Sequence, residues 1–98
     1  MSKKHVLEVA VFKVKDEFVK DINELRNQLK KGLENYPGLQ EFCGYLPVSD
    51  NMFADIVKWD NLEAAKAAAK AFEQGAPEFL PYMNAIESVE FMGHFDSE

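Results

Sequence analysis

The segment that most constrains this chain runs over residues 5–15, HVLEVAVFKVK. It is rich in β-branched and aromatic residues and free of Gly and Pro, which reads as a strand. One set of alternate positions holds Leu7, Val9 and Val11; the other holds Val6, Glu8, Ala10, Phe12 and Val14. Both faces are mostly apolar, so the strand has to be covered from both sides. A chain of 98 residues has room for one core only. The cover on each side must therefore come from very few elements.

From Asp16 the period changes. Phe18, Ile22, Leu25, Leu29, Leu33 and Tyr36 follow steps of three and four, the stripe of an amphipathic helix. Asp16 is the expected N-cap, Lys30 and Lys31 suit the far end of the dipole, and Pro37-Gly38 stops the helix. Residues 39–48 and 52–59 read as a hairpin of two strands joined by a turn at Ser49, Asp50 and Asn51. Asp60-Asn61 offers a cap for a second, alanine-rich helix over 62–73, which Gly75-Ala76-Pro77 interrupts. A short helical turn is expected over 77–86, with Pro77 at its first position, and a fourth strand over 88–95. The order β-α-β-β-α-β predicts an α+β, ferredoxin-like domain spanning residues 1–98, with a four-stranded antiparallel sheet and two helices on one face. The first and third strands lie in its centre. Two helices cover one face of the sheet, so the apolar second face predicts a homodimer.

Charge narrows the partners. Eleven Lys and Arg against seventeen Asp and Glu leave a formal charge of −6, which disfavours nucleic acid; the acid-bearing strands likewise fit no RNA-recognition sheet. No stretch has the length of a signal peptide's apolar core or of a membrane span. The lone Cys43 forms no intramolecular disulfide, and no Cys/His spacing suggests a metal site. A soluble cytoplasmic protein is expected.

The Pro37-Gly38 turn, the third strand ending at Trp59 and leading through Asp60-Asn61 into Glu63-Ala64, and the FEQ…PEF…YM segment over 72–83 together resemble the dimeric α+β barrel superfamily, nearest its antibiotic biosynthesis monooxygenase branch. The resemblance spans residues 6–95. It implies a homodimer whose sheets pack face to face, an apolar pocket between each sheet and its helices, and oxidation of phenolic or quinol substrates by O2 with no metal or flavin. The superfamily's haem-degrading enzymes would place ligand-pocket residues at Val9, at Ala68 or Phe72, and at Met83. None of these matches in kind, although Met83 is a conceivable haem ligand.

Trp59, Phe72, Phe79 and Tyr82 are expected to line such a pocket, with Val9, Tyr45 and Met83 as further substrate-binding candidates. Plain core packing would account for the same aromatics. Glu90, Met92 and His94 alternate on the last strand, opposite Val89, Phe91 and Phe95. If the apolar set faces the helices, Glu90 and His94 point toward the dimer interface, and Glu8 joins them. His94, Glu90 and Tyr82 are then the candidates for acid–base work, while a hydrogen-bonded cluster at the interface is the non-catalytic alternative. The functional expectation is a cofactor-independent, monooxygenase-like enzyme for aromatic or quinol substrates. The alternative is a non-catalytic homodimer that binds a small apolar or aromatic ligand or serves a structural role.

Overall fold

The computed structural model describes residues 4–48 and 50–98. Its elements are β1 (Val6–Val14), α1 (Ile22–Leu33), β2 (Leu39–Tyr45), β3 (Met52–Trp59), α2 (Leu62–Glu73), α3 (Leu80–Ala85) and β4 (Ile86–Asp96). The strands form one antiparallel sheet in the order β2-β3-β1-β4, so β1 and β3 are central as expected. The strict alternation of burial along β3 marks Phe53, Asp55, Val57 and Trp59 as the covered set. With Val6, Phe12 and Val14 of β1, the apolar members Phe53, Val57 and Trp59 meet Ile22, Leu29 and Leu33 of α1, Ala65 and Ala68 of α2, and Phe79, Tyr82 and Ala85, forming a single core.

Local chemistry fixes the joints. Asn61 caps α2 by accepting from the Ala64 amide at 2.8 Å. Gly38 follows α1 at φ +94°, and a Cβ there would lie 2.7 Å from that of Ala64. Only glycine fits both the conformation and the space.

Four features depart from the sequence expectation. The first turn after β1, Asp16–Asp21, is a 3-10 helix, and the α-helix begins only at Ile22. Asp16 caps nothing; its carboxylate accepts from Asn51 Nδ2 at 3.0 Å, tying this turn to the β2–β3 connection. The tighter winding lets adjacent Phe18 and Val19 both lean on the core. β2 ends at Tyr45, and the connection turns through Asp50 and Asn51 at φ 59° and 54°; Ser49 lies outside the described residues. The third helix starts at Leu80, with Pro81 rather than Pro77 in its first turn. The fourth difference bears most on function. β4 shifts register against β1 twice, between Val11 and Phe12 and between Lys13 and Val14. The first shift makes Glu90 an extra residue in a bulge, and a one-residue insertion reverses which side chains face the core.

The face away from the helices carries Leu7, Val9 and Val11 of β1, Ala54 and Ile56 of β3, Cys43 and Tyr45 of β2, and Phe91 and Phe95 of β4. Tyr45, Phe91 and Phe95 are 54%, 47% and 50% exposed. Among the described residues no element covers this apolar surface.

A candidate ligand cavity between sheet and helices

Between the sheet and the helices lies a cavity of about 510 Å³. Its floor is Ala10, Phe12, Val57 and Trp59, and its roof is Leu29 and Leu33 of α1 with Ala68, Ala69 and Phe72 of α2. The alanines matter because a methyl group is all they project from α2, so the helix can lie over the sheet and still leave room beneath it. Phe79, Tyr82 and Met83 close one side. The exposed lining residues Glu73, Met83, Glu87, Val89 and Met92 put the mouth between the α2–α3 segment and β4.

Two polar groups stand out within this apolar wall. The first joins Arg26, Asp55 and Tyr82. Arg26 and Asp55 are only 6% and 5% exposed. Arg26 donates to Asp55 Oδ1 from Nε at 3.1 Å and from Nη2 at 2.8 Å, and from Nη2 to the carbonyls of Tyr45 and Ala54, both at 3.1 Å. Its Nε also lies 3.3 Å from the Tyr82 hydroxyl, which donates to Asp55 Oδ2 at 2.6 Å. Gly44, beside Asp55 on β2, makes the space: a Cβ there would lie 2.7 Å from Arg26 Nε. Burial raises the Asp55 pKa, against the pull of the Tyr82 hydroxyl and the Arg26 charge. Burial, and then the Asp55 charge and hydrogen bond, push the Tyr82 phenol well above its ordinary value. Tyr82 therefore stays protonated at any physiological pH.

The second group is Glu8 with His94, whose Oε1 and Nε2 are 3.3 Å apart. They are register partners across β1 and β4, and both side chains are largely covered. Glu8 lines the cavity. Burial raises its pKa, and the Asp55 charge adds to this, while His94 and the Trp59 indole act the other way. The Trp59 Nε1 atom is buried and meets no acceptor at hydrogen-bonding distance. Its N–H acts on Glu8 without forming a full hydrogen bond to it, and it stands as an unused donor in the cavity floor.

Of the residues singled out in the sequence, Trp59, Phe72, Phe79, Tyr82 and Met83 meet around the cavity. Val9 and Tyr45 do not: both lie on the opposite face of the sheet, where β1 and β2 alternation sends them. Only the Tyr45 carbonyl takes part, as an acceptor for Arg26. The bulge reverses the expectation for β4 from Phe91 onward, while Val89, before it, faces the helices as expected. Val89 and Met92 line the cavity and His94 joins Glu8 beside it, whereas Phe91 and Phe95 take the open face. Glu90 is exposed in the bulge, accepting from Ser88 Oγ at 2.8 Å, and does not join His94. Arg26 and Asp55 were missed. The signal was there, since Arg26 is four residues after Ile22 and three before Leu29, and Asp55 falls between Phe53 and Val57. Each is a charge on an otherwise apolar face, and the two are complementary.

Among the described residues no group of three or more His, Cys, Asp or Glu is placed to hold a metal ion, and no helix is long and apolar enough to cross a membrane.

No protein-family model matches the sequence, and no curated protein does. Solved structures do match. A protein from Bordetella bronchiseptica, provisionally assigned as an antibiotic biosynthesis monooxygenase, superimposes with a TM-score of 0.81 over 97% of this chain and 98% of its own, at 9% identity. SnoaB, a cofactor-independent oxygenase from Streptomyces nogalater, gives 0.73 over 99% and 95%, at 20% identity. A further provisionally assigned antibiotic biosynthesis monooxygenase, from Nitrosomonas europaea, gives 0.68 over 99% and 91%, at 13% identity. The chain thus has the ferredoxin-like fold of the antibiotic biosynthesis monooxygenase-like structures over essentially its whole length.

Proposed function

We propose that this protein is a cofactor-independent, monooxygenase-like enzyme that oxidises a flat phenolic or quinol substrate held in the cavity. The observation that carries the reading is the cavity itself: about 510 Å³ with apolar walls and a few polar groups, the character of a small-molecule site. The fold it shares with SnoaB, a cofactor-independent oxygenase, supports the same chemistry. A dry, apolar site suits a substrate whose hydroxyl is activated by protein groups and whose oxidant is dissolved O2. We further propose that the open sheet face pairs with a second copy, burying Val9, Phe91 and Phe95, and that the protein works in the cytoplasm with Cys43 reduced.

The test is oxygen consumption by chelator-treated protein over a panel of quinols and polycyclic phenols. Uptake that depends on both substrate and protein is expected. No uptake over the panel overturns the enzymatic reading.

A second reading, ligand binding without turnover, draws on the Arg26, Asp55 and Tyr82 cluster, whose groups satisfy one another. Thermal stabilisation by an aromatic ligand with no oxygen consumption would favour it.

A further inference from the structure

Away from its exposed mouth the cavity holds three acid–base groups that could meet a ligand hydroxyl, and bonding separates them. Both oxygens of Asp55 are taken, Oδ1 by Arg26 and Oδ2 by Tyr82. Tyr82 spends its own proton on Asp55. Glu8 differs: Oε1 is held by His94, and among the described residues no other hydrogen bond to the carboxylate forms, the Trp59 N–H acting on it without completing one. Glu8 belongs to the cavity lining, and His94 holds its carboxylate from the neighbouring strand β4.

We propose that Glu8 is the hydroxyl acceptor of this cavity: Oε2 takes a hydrogen bond from the un-ionised hydroxyl of an aromatic guest, while His94, donating Nε2–H to Oε1, holds the carboxylate in place. This rests on the cavity being the binding site. In turnover the guest's O–H bond breaks, its proton passes to Oε2, and the electron pair stays on the guest oxygen. Glu8 is then the catalytic residue and His94 a positioning residue.

The surroundings favour this role. Burial strengthens Glu8 as a base by raising its pKa. The groups facing it are His94 from β4, Asp55 and the Trp59 indole from β3, and behind Asp55 the Arg26 guanidinium of α1 and the Tyr82 phenol of α3. Glu73 of α2 and Glu87 of β4 stand at the mouth. Arg26 balances Asp55, so Glu8 is the acceptor left with an open oxygen, and the acids at the mouth disfavour carboxylated guests.

Two matched guests test it: β-naphthol, which can donate, and its methyl ether, which cannot. Calorimetric titration of the intact protein from about pH 5 to about pH 8 should find the naphthol bound roughly tenfold or more tighter at the upper end, as a hydrogen bond to a charged acceptor provides. That preference should shrink as the pH falls and Glu8 takes up a proton. The ether should show no such trend. Glu8→Gln should flatten the pH profile and remove most of the preference. His94→Gln keeps a donor and should preserve the preference, whereas His94→Leu should reduce it.

Equal affinities for the two guests at every pH, or a preference that survives Glu8→Gln with its pH dependence intact, would overturn the proposal. The two-guest comparison on the unaltered protein decides even if a variant fails to fold. If neither guest binds, the cavity fails as a site for such molecules and this inference fails with it. If the naphthol preference holds but no quinol consumes oxygen, the oxygenase reading alone falls.

Discussion

Gly44→Ala should cost far more than an added methyl on a strand suggests. Its Cβ would stand 2.7, 2.8 and 2.9 Å from Arg26 Nε, Cζ and Cδ, where ordinary contacts need about 3.5 Å. Arg26 would have to withdraw by roughly 0.8 Å. It is not free to do so, because its Nη2 and Nε bonds of 2.8 to 3.3 Å hold it to Asp55, Tyr82 and two strand carbonyls. Overpacking of about 1–3 kcal/mol, together with stretched bonds to a buried charge, puts the loss near 3 kcal/mol. Arg26→Ala removes the obstacle but leaves the Asp55 charge buried without its counter-charge, at about 3–5 kcal/mol. Once Arg26 is gone, the extra methyl at position 44 should cost almost nothing, so the double variant should lose about 2–3 kcal/mol less than the sum of the two single changes. Urea unfolding measures this directly: with a slope of about 1–3 kcal/mol per molar, the Gly44→Ala midpoint should fall by about 1–3 M. Additivity within about 0.5 kcal/mol would refute the reasoning, since it would mean that Arg26 is not pinned against the Gly44 backbone.

Other outcomes follow from the same geometry. Glu8 has a folded-state pKa above its ordinary 4.5, so its contribution to stability is fully present below that value and is lost as pH rises through the raised one. Glu8→Gln should therefore gain thermal stability relative to the unaltered protein as the pH is taken from about 4 to about 8, and a constant difference would contradict the shift. Phe91→Asp places a charge on the open apolar face and should convert a dimer to monomers by light scattering; an unchanged mass would remove this face as the interface. Ala68→Phe fills the space under α2 and should weaken aromatic ligands by about a hundredfold or more. Retained affinity would move the binding site elsewhere.

The fold was legible because its strongest signals are periodic and local. Residues 16–36 carry a helical stripe, Asn61 caps α2 as its residue type suggests, and the two apolar sets of β1 identified a central strand. The pocket aromatics were legible for the same reason, since Trp59 ends an alternating strand and Phe72 closes an amphipathic helix. What failed was parity. A bulge at Glu90 leaves no mark in the local pattern, yet it exchanges the faces of β4, and with them the positions of His94, Phe91 and Phe95. Glu8 and His94 share a face in the sequence pattern and in the structure, but that face is the cavity side and not the open one. Val9 and Tyr45 were misplaced because a strand residue's type does not reveal which face it takes when both faces are apolar. Arg26 and Asp55 needed a different kind of evidence. Each looks like an exception on its own element, and only three-dimensional pairing makes two exceptions into one buried ion pair.

The account centres on the cavity as the place where an aromatic hydroxyl compound binds. Trp59 is the sole tryptophan, is 1% exposed and forms part of the cavity floor, so its fluorescence reports on that site. Titrating a quinol into the protein should change Trp59 emission saturably, and the change should vanish in Ala68→Phe while that variant unfolds cooperatively. No saturable change in the unaltered protein, or one that persists undiminished in the filled variant, would contradict it.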